Sequence, residues 1–126
     1  MEELIRKNLE EGKLPCEKAF AIARELRVKP LQVGRKANEM GVKITRCQLG
    51  LFGYGSKAQG THRIIRPLQE VPPALEEEIR RLASEEGLAC AKVWAISRRL
   101  GISKLEVASA AEALGIRIIQ CQLGCF

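Results

Sequence analysis

Chemistry in this chain of 126 residues has to come from five cysteines, one histidine and a glycine-rich loop, because aspartate is absent. All 15 acidic residues are Glu and His62 is the only histidine. A Ser-His-Asp triad, a histidine-rich zinc site and an Asp-based magnesium site therefore each lack parts. The loop Gly50-Leu-Phe-Gly-Tyr-Gly55-Ser56-Lys57 has the glycines of a phosphate cradle, but Ser precedes Lys and no helix is predicted to follow, so nucleotide hydrolysis is not expected. Cys16 and Cys90 begin predicted helices, where the helix dipole lowers a thiol pKa. A zinc or iron–sulfur centre would draw on Cys47, Cys121 and Cys125. No Cys-x-x-Cys pair occurs, and small apolar thiols pack in cores without any metal. The expectation is a protein that is not an enzyme and holds no cofactor or metal.

Composition fits a folded domain: 46% of residues are hydrophobic and 29% charged. A net charge of +6 points to polyanionic partners. No uncharged run approaches the roughly 18 to 20 apolar residues of a membrane span. The start, Met-Glu-Glu-Leu-Ile-Arg-Lys, lacks the basic-then-apolar order of a secretory signal. A cytoplasmic protein with reduced cysteines and no membrane partner is expected.

The chain is organised by an internal repeat. A shift of 74 positions aligns Ile5–Phe52 with Ile79–Phe126 without a gap, and 20 of the 48 pairs are identical. Among them are Leu14 with Leu88, Cys16 with Cys90, Val33 with Val107, Gly41 with Gly115, and Cys47-Gln-Leu-Gly50 with Cys121-Gln-Leu-Gly124. Each copy is then one supersecondary unit. The predicted boundaries are repeat 1 over residues 1–52, a Gly- and Pro-containing basic linker or wing over 53–72, and repeat 2 over 73–126.

Apolar spacing within each copy gives a short opening helix, a second helix over Cys16–Leu26 (Cys90–Leu100) and a third over Pro30–Met40 (Lys104–Leu114). Gly41 and Gly115 sit where a helix end favours a left-handed residue. Alternation then predicts strands at Val42–Thr45 and Ile116–Ile119. Pairing of Ile44–Leu49 with His62–Arg66 across the glycine-rich loop would complete a wing on the first copy. The fold class read from this order is mainly α with short β-strands, in two tandem winged-helix-like, helix-turn-helix repeats.

Ile96, Leu100, Gly101, Ile102, Ser103, Val107, Ala111, Leu114 and Gly115 carry a pattern that resembles the helix-turn-helix of winged-helix bacterial regulators, including the LysR-type and molybdate-responsive families. The resemblance covers about 25 residues per copy and implies Gly101 in the turn and Ser103 capping the next helix. The first copy departs from it, with Arg27 in place of the turn glycine, which calls for a strained or different turn.

Charge distinguishes the copies. Residues 1–52 hold 11 basic and 7 acidic groups, residues 53–72 hold 3 and 1, and residues 73–126 hold 7 and 7. The third helix of the first copy is predicted to display Gln32, Arg35 and Lys36, with Lys29 and Asn38 at its margins. These are side-chain types that read base edges. Lys57, Arg63 and Arg66 would add phosphate contacts. The second copy is predicted to present Glu106, Ser109, Ala110, Glu112 and Ala113 instead, a surface suited to protein. The functional expectation is a DNA-binding transcriptional regulator or accessory whose first repeat reads double-stranded DNA. The second repeat would mediate assembly as a homodimer through Ala110, Ala113 and Ile119. The alternatives are a non-enzymatic protein-interaction adaptor and a cysteine-based metal or redox sensor.

Overall fold

The computed structural model describes residues 1–126, a mainly helical chain of six helices with two short parallel strand pairs. It divides into two compact units: unit 1 is Met1–Ile64 with Gln122–Cys125, and unit 2 is Ile65–Cys121 with Phe126.

Unit 1 contains α1 (Glu2–Lys7), β1 (Leu14–Pro15), α2 (Cys16–Leu26), α3 (Pro30–Glu39) and β2 (Ile44–Thr45). Helix α2 buries Ala19, Phe20, Ile22 and Ala23, the stripe that i, i+3, i+4 spacing produces, and packs it on α3 and α1. Arg27 ends α2 in the left-handed conformation (φ 55°). The turn is therefore the one a glycine would make, at the roughly 1 kcal/mol that a Cβ costs there. Pro30 opens α3 at its first turn, where no backbone N–H is needed. Gly41 (φ 72°) closes α3, its N–H donating to the Asn38 carbonyl (3.0 Å) while that of Val42 donates to Ala37 (2.8 Å). The chain then leaves as β2.

The partner of β2 differs from the expected one. It pairs in parallel with β1, in the register Leu14↔Ile44 and Pro15↔Thr45, and His62–Arg66 forms no strand. A parallel pair needs a long crossover, and the α2–turn–α3 hairpin supplies it. β2 pairs with β1 alone, and no antiparallel wing forms. The glycine-rich loop instead folds on itself through Cys47 N–H to the Phe52 carbonyl (3.1 Å) and Tyr54 N–H to the His62 carbonyl (3.2 Å).

Unit 2 repeats the plan with α4 (Pro73–Leu82), β3 (Leu88–Ala89), α5 (Cys90–Leu100), α6 (Lys104–Ala113) and β4 (Ile118–Ile119), β3 and β4 pairing in parallel. Gly101 (φ 67°) makes the turn and the Ser103 hydroxyl accepts the Glu106 N–H at 3.0 Å, capping α6. The aligned residues are the core: Ile5 and Ile79, Leu14 and Leu88, Ile22 and Ile96, and Val33 and Val107 are all at most 2% exposed.

Candidate nucleic-acid interface

Helix α3 carries four of the predicted DNA contacts and its N-cap a fifth, and the structure gives them different roles. Lys29 is exposed just before the first turn. The Gln32 side-chain oxygen accepts the Lys29 N–H at 3.0 Å, so it caps the helix from which it was expected to reach outward. Lys36 is held between two carboxylates, Glu39 at 3.3 Å and Glu2 at 3.4 Å. The hydrogen bonds to Glu39 and Glu2 raise its pKa above the ordinary lysine value. It stays protonated, and its charge is already answered within the protein.

Arg35 and Asn38 open onto a groove of about 940 Å³ within unit 1, together with Lys43 and Lys57. Val42, Ile44, Phe52 and Leu123 line it with apolar surface, and Leu31, 36% exposed, adds to that lining. Arg35, Lys43 and Lys57 make no ion pair, whereas Arg6, Lys18 and Lys36 of the same unit all do. No acidic residue lines the groove. The charge is thus uncompensated and faces an apolar surface, which suits an anion with an apolar or aromatic part.

One side of this groove depends on a glycine. Gln122–Cys125 belongs to unit 1 and runs against α3 at Gly34, where a Cβ would collide with the Leu123 carbonyl. Leu31 closes in similarly on Gly124, 2.8 Å from where a Cβ would stand. Gly34 allows a backbone approach that any larger residue forbids, whereas Gly124 meets only the movable end of the Leu31 side chain and is favoured instead by its left-handed backbone (φ 82°).

Other predicted contacts lie outside the groove. Arg63 is half-buried in unit 1, and Arg66 belongs to unit 2, where its guanidinium donates to the Ile65 carbonyl at 3.0 Å. His62 is half-buried with its Nδ1 enclosed and without a hydrogen-bond partner. Lys43 was not among the predicted contacts. Its place in the alternating run Val42-Lys43-Ile44 was visible, but nothing local tied it to α3.

The surface expected on α6 is corrected in two residues. Ser109 is 5% exposed and Ala110 is fully buried, within an unbroken buried run from Val107 to Ala111. The linker takes part in this, because the Leu68 N–H donates to the Ser109 carbonyl at 3.3 Å. Glu106, Glu112 and Ala113 remain exposed, and Ile119 is half-buried. Lys104 lies over the Trp94 ring, 4.2 Å from its centroid. A homodimer surface centred on Ala110 is thereby excluded.

Cys47 and Cys16 are buried in unit 1, near the Tyr54 phenol, which donates to the Cys47 carbonyl at 2.7 Å. Burial, then the nearby Cys47 and Cys16, raise the Tyr54 pKa and keep it a neutral donor. No three His, Cys or Glu side chains gather into a group that could hold a metal ion, so Cys47, Cys121 and Cys125 do not meet as a ligand set. No helix is long and apolar enough to cross a membrane. No protein-family model, curated protein or solved structure matches the chain.

Proposed function

We propose that this protein is a non-enzymatic DNA-binding regulator or accessory, with α2, the Arg27 turn and α3 acting as a helix-turn-helix without a wing on double-stranded DNA. The observation that carries the reading is the convergence of Arg35, Lys43 and Lys57, none in an ion pair, with Asn38 along one edge of unit 1 and with no carboxylate among them. Lysine and arginine released from internal pairing can displace counterions from phosphates, and each phosphate so neutralised adds to affinity. The second repeat serves assembly as a homodimer in the cytoplasm. What supports that division is α6, whose exposed residues are Glu106, Glu112 and Ala113 and whose Lys104 is engaged by Trp94.

The test is a fluorescence-anisotropy titration of the full chain on duplex DNA at several salt concentrations. A complex with about 4 to 6 phosphate contacts gives a log–log slope of roughly −4 to −5. A flat dependence would sink the DNA reading and favour the adaptor. Sedimentation equilibrium checks the assembly: twice the chain mass of 14.0 kDa is expected, and a monomer at micromolar concentration would remove the homodimer.

A further inference from the structure

The duplication reproduces a pair of thiols as well as a core. In unit 1 the strands β1 and β2 end on the rung Pro15↔Thr45, and Cys16 is the next residue on one side while Cys47 is the second on the other. In unit 2 the strands β3 and β4 end on Ala89↔Ile119, and Cys90 and Cys121 follow in the same two places. Paired strands run about 4.8 Å apart, inside the roughly 4.4 to 6.8 Å between α-carbons that a disulfide spans. The residue before the second thiol is bent in both copies: Arg46 (φ 49°) and Gln120 (φ 52°) hold the left-handed conformation without being glycine. Strain of that kind persists only where the surrounding structure enforces it. One backbone bond accompanies it twice, the Cys47 N–H donating to the Phe52 carbonyl and the Cys121 N–H to the Phe126 carbonyl, both at 3.1 Å.

Side chains bring the first pair together as well. The Gln48 amide, next to Cys47, donates to the Cys16 Sγ at 3.7 Å. The Tyr54 phenol that bonds the Cys47 carbonyl has its pKa raised by burial and then by Cys47 and Cys16, so both thiols lie close to one ring. No disulfide joins any of the cysteines.

We infer that Cys16 with Cys47 and Cys90 with Cys121 are two dithiol centres that exchange with small disulfides of the glutathione class, each closing into an intramolecular disulfide. The inference goes beyond the DNA-binding reading and does not depend on it. Cys121 is half-buried whereas Cys16, Cys47 and Cys90 are at most 7% exposed, so exchange enters unit 2 at Cys121. The Cys121 thiolate attacks one sulfur of the small disulfide, whose S–S bond breaks as one thiolate leaves. Cys90 gives its proton to solvent and attacks the Cys121 sulfur, and the second small thiolate leaves. Both released thiolates take up protons, so two protein thiols are oxidised and one disulfide is reduced to two thiols. The same steps join Cys16 and Cys47, more slowly, because local opening must first expose one of them.

The experiment uses the full chain carrying Cys125→Ser, which keeps only the four paired thiols of the five cysteines. It is equilibrated in glutathione buffers of increasing oxidised fraction, quenched with acid, alkylated and mapped by peptide mass spectrometry. Both bonds should form, Cys90–Cys121 before Cys16–Cys47. Each should be favoured about tenfold or more over the same bond in the urea-unfolded chain, where a spacing of 31 residues (47 − 16 and 121 − 90) gives only a millimolar effective concentration. Cys90→Ala should stop at a glutathione adduct on Cys121 and leave the Cys16–Cys47 bond and the helical circular dichroism as they were. Bonds between the repeats or between chains, glutathione adducts alone, or a native equilibrium no better than the unfolded one overturn the inference. A bond confined to one unit overturns it for the other, and a first bond in unit 1 overturns the entry through Cys121.

Discussion

Helices α3 and α6 occupy the same register of the repeat, each following a left-handed turn and ending at a left-handed glycine, yet they do opposite things with their surfaces. In α3 the exposed and half-buried positions are mostly cationic or amide, and Arg35 has no ion pair. In α6 the corresponding stretch is buried from Val107 to Ala111 and leaves only two glutamates and an alanine in water. The aligned pair Gly34 and Ala108 is one point of divergence: a hydrogen at position 34 lets the Leu123 backbone lie against α3. The two units thus show that a duplicated core can keep its inward residues and still be given two outer surfaces by small local changes.

The comparison is broken most severely at that glycine. Gly34→Ala drives a Cβ into the Leu123 carbonyl, and overpacking of about 1 to 3 kcal/mol against roughly 1 kcal/mol of helix propensity gained leaves a net loss of up to about 2 kcal/mol in urea unfolding. The mirror change Ala108→Gly should cost about 1 to 2 kcal/mol through propensity and a lost methyl, without touching DNA binding. Next in size, Arg35→Ala should weaken DNA binding by about 1 to 3 kcal/mol if it contacts a base, whereas Lys57→Ala lowers affinity for all sequences alike and Lys36→Ala changes little. A Lys36 effect as large as that of Arg35 in the same anisotropy titration would contradict the division of α3 into paired and unpaired cations.

Caps sharpen the contrast further. Ser103→Ala removes the bond to Glu106 N–H and should cost about 1 kcal/mol in thermal or urea unfolding, while Lys29→Ser, placing a hydroxyl three residues before Gln32, should complete a capping box and stabilise α3 by up to about 1 kcal/mol. The smallest effects are in pH. The Arg81 hydrogen bond, aided by Arg81 and Arg99 charge, lowers the Glu78 pKa. Its contribution is therefore present above the ordinary carboxylate value and lost as pH falls through the lowered one. Lys36 has the opposite sign: its raised pKa gives a contribution present below the ordinary lysine value and lost as pH rises through the raised one. Glu78→Gln should flatten the acid limb of the stability curve only, and Lys36→Met the alkaline limb only.

Much of the helical framework was legible. The second helices of both copies start and end where apolar spacing put them, and the third helices stop one residue short because Met40 and Leu114 serve as caps. The strand partners were not legible, since Leu14–Pro15 and Leu88–Ala89 are two residues each and too short to show alternation. The outer face of α6 was misread because Ala and Ser on every side give no contrast between inside and outside. At the site, the type and helix of Arg35 and Asn38 were readable. Their meeting with Lys43 and Lys57, and the capture of Lys36 by Glu2, depend on how distant segments pack and leave no local pattern.

The seat of Leu123 against Gly34 also sets an order of events during synthesis. The two residues are 89 positions apart (123 − 34), and at about 5 to 20 residues per second a ribosome makes them roughly 4 to 18 s apart. For that interval α3 exists without its cover, with the apolar flank of Leu31 open to chaperones or to neighbouring nascent chains. Unit 1 is therefore begun first yet completed only after the helices of unit 2 have been made, and mistakes made at Gly34 would show as poor yield of newly made protein before they showed as a lowered melting temperature.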